Sequence, residues 1–339
     1  MPDTRSIWSS IYKMSFWSTL IAINCLALFL ILNLSFWGYS RISELKAKNS
    51  EPQKAPMWHK KSNEALEKLF PNLSRQEIDQ LISDSRRIAQ DYDPYTQFKE
   101  APYQTKFVNV DTNGFRRSKN QGPWPPRQND FVIFFYGGST SFGYGVPDDE
   151  TVASHLQEIL GHRLGIPVRV YNFGRGAYFS SQERILFEKH LSEGLIPDMA
   201  IFMDGVNEFS RLNGEPSYTG NLTKFMREHD TPLHKKIWAE LPLVKFINSL
   251  NKPSQSESSI QGTKDKNLSR EEVSGAVENV VRRYQMNRRM IEAISRDMGV
   301  RTVFVWQPTP LFGHDLKNHI FRDFDYDSFT PYLRRGYEF

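Results

Sequence analysis

Phe131-Val-Ile-Phe-Phe-Tyr136 is an unbroken run of β-branched and aromatic residues that leads straight into Gly137-Gly138-Ser139. A continuous apolar run of this length has no polar face to turn toward water, so it reads as a strand covered on both sides, as in a parallel sheet. The two glycines let the chain turn sharply without a Cβ penalty. Ser139 then falls at the carboxyl end of the strand, ahead of a helix expected over Glu150 to Leu164. In open α/β sheets that edge is where chemistry is placed. A Gly-Ser turn that merely joins two elements is the plain alternative.

The pattern repeats along the chain. Strands are expected at Val132–Tyr136, Val168–Phe173, Met199–Met203 and Thr302–Trp306, with helices near Thr151–Arg163, Ser181–Glu193 and Arg270–Asp297. Strands alternating with helices predict a three-layer α/β/α sandwich on a mostly parallel sheet. Two helices precede it, near Glu64–Leu69 and Arg75–Asp91, the second with a capping-type start at Asn72 to Arg75. An insertion of about residues 211–269 separates the third strand from the Arg270–Asp297 helix. Its later part, Lys252 to Asn267, has the composition of a disordered loop. The earlier part, with Phe225, Trp238, Leu243 and Phe246, reads as surface decoration, a helical lid or a membrane-facing flap.

Phe16 to Trp37 contains no charged residue over 22 positions, long enough to cross a bilayer as a helix. Trp8, Trp17, Trp37 and Tyr39 suit the interfaces. The stretch is too long for a signal peptide, and no small-x-small cleavage site follows it. Arg5 and Lys13 precede the span and Arg41, Lys46 and Lys48 follow it, so the positive-inside count leaves orientation undecided. The expected organisation is a lead segment (1–15), a single-pass anchor (16–38), a polar linker (39–62), an approach segment (63–130) and the α/β domain (131–339).

A net charge of +4, dispersed along the chain, gives no argument for nucleic acid. The single cysteine, Cys25, excludes an intrachain disulfide. No zinc spacing and no nucleotide-phosphate loop is present, and Gly174-Arg-Gly176-Ala-Tyr-Phe179 is an imperfect dinucleotide fingerprint. No metal or organic cofactor is implied.

Three strand ends carry the chemistry: Gly138-Ser139-Thr140, Asn172-Phe-Gly174-Arg-Gly176-Ala177, and Gly205-Val-Asn207-Glu208. A serine nucleophile needs a base and donors aimed at the developing oxyanion. Backbone N–H groups of the second loop and the Asn207 amide are candidates. Together the three loops resemble the first three blocks of the SGNH hydrolase superfamily, the GDSL-type esterases, in a membrane-anchored branch that shares the Asn113-Gly114-Phe115-Arg116 approach segment. Gly138 stands where the family name has Asp. The resemblance implies a flavodoxin-like fold. It makes Ser139 the nucleophile, and it implies an oxyanion hole from Asn207 and the loop backbone, Gly174 and Ala177. Ala177 occupies the position, five residues after the asparagine, where the family often has a donor glycine.

The family's fourth block, an Asp three residues before the catalytic His, matches none of the eight histidines. The nearest arrangement is Asp315-Leu-Lys-Asn-His319, one residue too long. The expectation is therefore a base beyond residue 339, with His319 as the substitute. The resemblance implies cleavage of a small acyl ester, on a small molecule, lipid or glycan, outside the cytoplasmic membrane. A polysaccharide O-acyltransferase and an inactive binding or assembly module are the alternatives.

Overall fold

The computed structural model of the protein describes residues 4–50, 63–127, 129–229, 231–250, 269–309, 312–313, 315, 317 and 331–338. The chain opens with α1 (Thr4–Ser50), α2 (Asn63–Leu69) and α3 (Arg75–Arg86). Two antiparallel hairpins follow, β1–β2 (Gln90–Asp93, Gln97–Glu100) and β3–β4 (Tyr103–Gln104, Asn109–Val110). The α/β core begins with β5 (Phe131–Gly137), α4 (Ser139–Phe142), α5 (Val152–Leu164) and β6 (Val168–Asn172). It continues with α6 (Ser180–Ser192), β7 (Met199–Asp204) and α7 (Val206–Ser210). Then come α8 (Thr219–His229), α9 (Leu233–Glu240), α10 (Pro242–Leu250), α11 (Arg270–Met298), β8 (Arg301–Trp306) and α12 (Pro331–Glu338). By internal contacts the chain falls into two compact units, Met1–Met57 with Thr223–Ser259, and Trp58–Leu222 with Ile260–Phe339.

In the second unit β6, β5, β7 and β8 lie side by side in that order, all parallel. The two-residue period of β5 divides its side chains between two cores. Val132, Phe134 and Tyr136 meet Leu186, Phe187 and Leu191 of α6 and Ile291 of α11. Ile133 and Phe135 face the other way, onto Ala153, Leu156 and Leu160 of α5. Helices therefore cover both faces, and the expected three-layer α/β/α arrangement is the observed one. His190 sits inside the aromatic core with Nδ1 2.8 Å from the Tyr136 hydroxyl. Burial pushes it down to about 3, which makes it a neutral core residue.

The approach region differs from expectation. Ser74 and Glu77 form a capping box at the start of α3, but the helix stops at Arg86 rather than Asp91. The chain turns there into the β1–β2 hairpin. Asp93 closes that turn by accepting the N–H groups of Tyr95 and Thr96 and the Thr96 hydroxyl.

In the first unit, Tyr12–Ser43 of α1 is long and apolar enough to cross a membrane. The helix runs on to Ser50, so the polar stretch read as a linker from 39 is helical to that point, and 51–62 lie outside the described residues. The insertion supplies α9 and α10, which pack along α1: Trp238 stacks on Phe29 and Phe246 on Phe36. Lys252 to Asn267 lie outside the described residues.

Candidate active site

The three strand-end loops meet around Gly138. This residue caps α4, and exposed Ser139 is the helix's first residue. The Ser139 hydroxyl has no hydrogen-bond partner among the described residues. Its N–H belongs to the first turn of a helix, where no intrahelical acceptor exists. A Cβ on Gly138 would lie 2.3 Å from Asn207 Nδ2 and 3.3 Å from the Tyr178 carbonyl. At the position that holds Asp in the family name, a side chain would displace the Asn207 amide from its place beside the turn. That amide donates to the Tyr178 carbonyl at 2.7 Å. A primary amide carries two N–H bonds, so one remains beside the Ser139 turn.

The second loop is held against the same turn. A Cβ on Gly174 would lie 2.5 Å from the Phe142 backbone nitrogen and 2.7 Å from the Ser141 carbonyl carbon. Buried Asn172 binds both sides, its Nδ2 donating to the Ser141 carbonyl at 2.8 Å while its Oδ1 accepts the Gly174 N–H at 3.0 Å. Nearly every N–H of this loop is used. Arg175 donates to the Gly137 carbonyl (2.9 Å), Gly176 to Glu100 Oε1 (2.7 Å) and Tyr178 to the Arg175 carbonyl (3.3 Å). The N–H groups of Ala177 and Phe179 have no acceptor among the described residues. Ala177 adopts a left-handed backbone, φ 60°, unusual for a residue with a side chain. The Gly174 N–H, by contrast, is engaged by Asn172 Oδ1 at 3.0 Å. Gly174 shapes the loop, and Ala177 carries an open donor.

The β1–β2 hairpin supports that loop. Glu100 is buried and also accepts the Tyr144 hydroxyl at 3.0 Å, and burial raises its pKa. Arg175 Nη1 donates to the Tyr178 hydroxyl at 3.1 Å, and that hydroxyl bonds Thr96 Oγ1 and the Phe98 carbonyl. Sequence reasoning missed Glu100, Arg175 and Thr96. The one available signal was Asp93-Pro94, a turn dipeptide.

Two buried charged groups underlie the rim. Arg116, 1% exposed, donates from Nε to Asp148 at 3.0 Å and from its terminal nitrogens to the carbonyls of Phe142, Gly143 and Val146. It gathers the chain that follows Ser139. Beneath Asn207 lie Glu183, Asp204 and Glu208, all buried. Glu208 accepts the Ser180 N–H at 2.6 Å and lies 3.5 Å from Arg283. No donor meets either carboxylate oxygen of Glu183. Asp204 Oδ1 likewise meets no donor. Burial, reinforced by the neighbouring acids, raises the pKa of Glu183 and Asp204, and burial raises that of Glu208.

The structure thus brings together Ser139, Gly174, Ala177 and Asn207. His314 and His319 lie outside the described residues.

No family model matches this chain, and no curated protein does. Among solved structures, the chain is similar to AlinE4, an SGNH-hydrolase family esterase, at 18% identity over 46% of this chain and 97% of that one, TM-score 0.23. It is similar to Axe2, an acetylxylan esterase from Geobacillus stearothermophilus, at 18% identity over 61% of this chain and 91% of that one, TM-score 0.24. LAE5, an alpha/beta hydrolase enzyme from the metagenome of Lake Arreo, Spain, matches at 12% identity over 61% of this chain and 89% of that one, TM-score 0.24.

Proposed function

We propose that this chain is a membrane-anchored serine hydrolase of carboxylic esters, with α1 as the anchor and the α/β unit outside the cytoplasmic membrane. The convergence of three strand-end loops on Gly138 carries the reading. A serine at a helix start stands beside a side-chain amide with an N–H to spare, and the neighbouring loop leaves the Ala177 N–H open. In this reading the Ser139 hydroxyl attacks the ester carbonyl and its proton passes to a base. The carbonyl oxygen becomes an oxyanion held by Asn207 Nδ2 and the N–H groups of Ser139 and Ala177. The alcohol departs with a proton, and water then cleaves the Ser139 acyl ester. The substrate is a small acyl ester carried on a glycan or lipid.

The test is reaction of the full-length protein with a fluorophosphonate probe and with p-nitrophenyl acetate and butyrate. Labelling at Ser139 and turnover are expected, and Ser139→Ala should lose both, a fall of about 10⁴-fold or more. Asn207→Ala should lower kcat by about 10²–10³-fold, the cost of one oxyanion donor. No labelling of the wild-type chain would leave an inactive module, and acyl transfer to an added glycan in preference to water would make it a transferase. His319→Ala tests the substitute base.

A further inference from the structure

We infer that α9 and α10 form a second membrane-contacting element, lying in the lipid interface beside the carboxyl-terminal end of the α1 span. The inference rests on the proposal that α1 crosses the bilayer.

The argument starts from an asparagine inside an apolar stretch. Asn33 belongs to the chargeless run that ends at Trp37, a place where an unsatisfied amide is costly. Both polar ends of its side chain are engaged: Nδ2 donates to the Phe29 carbonyl at 2.9 Å, and Oδ1 accepts the N–H of Leu243, in the first turn of α10, at 3.2 Å. At 1.5 Å per residue, Asn33 lies about 6 Å along the helix from Trp37. Phe246 stacks on Phe36 at 4.3 Å between ring centroids, and Trp238 on Phe29 at 6.2 Å. Groups packed sideways on Phe29, Asn33 and Phe36 share their depth. If lipid surrounds the span there, it surrounds α9 and α10 too.

The helices are built for that environment. In α10, Leu243, Val244, Phe246 and Ile247 fall on one side of the helix by its 3.6-residue period, with Lys245 and Asn248 opposite. In α9, Leu233, Ile237 and Trp238 are 72%, 58% and 59% exposed, and Ile247 of α10 is 47% exposed. Water would penalise such surfaces on a short helix pair, whereas the boundary between headgroups and acyl chains accepts an apolar face buried to roughly 5–10 Å. Lys235, Lys236 and Lys245 have stems long enough to carry their charge up to the headgroups. A 530 Å³ groove lined by Trp37, Tyr39, Arg41, Glu240 and Lys245 mixes aromatic and charged groups, as interfacial surfaces do.

The test places an environment-sensitive fluorophore on single cysteines of the full-length protein in phosphatidylcholine–phosphatidylglycerol vesicles. Native Cys25, within the span, is the internal reference. In a Cys25→Ser background the label goes to Ile237→Cys, Ile247→Cys, Asn248→Cys and, on the α/β unit, exposed Glu193→Cys. Doxyl-labelled lipid should quench Ile237→Cys and Ile247→Cys within about twofold of Cys25. Aqueous iodide should quench Asn248→Cys and Glu193→Cys instead. Iodide quenching of Ile237→Cys and Ile247→Cys equal to that of Glu193→Cys overturns the inference while leaving the anchor intact. Protection from both quenchers overturns it as well, because protein, a second copy included, would then cover the face. Absence of lipid quenching at Cys25 itself would remove the anchor and the inference with it.

Discussion

Arg116 and the Glu183–Asp204–Glu208 group are both buried charge beneath the same rim of loops, and they are handled in opposite ways. The guanidinium is well paired: one carboxylate and three carbonyls receive four of its five N–H groups, and Asp148 is further held by the backbone and side-chain N–H groups of Asn109. Among the described residues the acids have one ion-pair partner, Arg283, and several oxygens without donors. A well-paired charge keeps its state over a wide pH range and fixes geometry. A crowded set of acids keeps a proton, so its state depends on pH. The chain after Ser139 rests on the first arrangement, and the Asn207 turn rests on the second. Rigidity is expected on the Ser139 side and pH sensitivity on the Asn207 side.

Removing Arg116 should give the largest effect. Arg116→Ala leaves Asp148 buried without its cation and three carbonyls without donors, and should cost about 3–5 kcal/mol of stability by urea denaturation. A loss below about 1 kcal/mol would break the claim that this charge organises the turn. Asp148→Asn should cost less, about 1.5–3 kcal/mol, since the carbonyls keep their donors. It should also slow fluorophosphonate labelling, because the α4 turn loosens.

On the acid side, the expected effect is smaller and lies in a slope. The folded-state pKa values of Glu183, Asp204 and Glu208 are raised. Their contribution to stability is therefore fully present below the ordinary carboxylate range and is lost as pH rises through the raised values. Glu183→Gln donates to Asp204 without needing a proton. It should flatten the decline in melting temperature between pH 5 and 9, with little change below pH 4. An unchanged slope would show that the acids do not keep a proton. His190 acts in the other direction: its folded pKa is depressed to about 3, so stability falls as pH drops from about 6.5 toward 3. Replacing His190 with Gln should reduce that acid-side loss, the smallest of these effects.

The strands were legible because each is a short apolar run that ends in a turn signal, and Ser139, Asn172 and Asn207 stand at those ends. Ala177 was legible only through the family resemblance, by its place five residues after the asparagine. It and Gly174 belong to one loop, and only the hydrogen-bond partners reveal that Gly174's N–H is spent on Asn172 while Ala177's stays open. Glu100 was invisible because it reaches the loop from a hairpin 76 residues earlier in the chain, and no local pattern encodes that approach. The α3 boundary was misplaced for a related reason. Nothing between Arg86 and Asp91 forbids a helix, and the hairpin wins through the Asp93 turn and its packing.

By itself the sequence determined the alternation of strands and helices, the apolar span of α1 and the serine at a strand end, since each depends on the period and composition of a short segment. The tertiary structure decided which N–H groups stay open, what a side chain at position 138 would displace, which buried charges are paired, and that Asn33 bonds Leu243. Those outcomes depend on groups far apart in sequence meeting within about 3 Å, the range at which a hydrogen bond or a steric clash is settled.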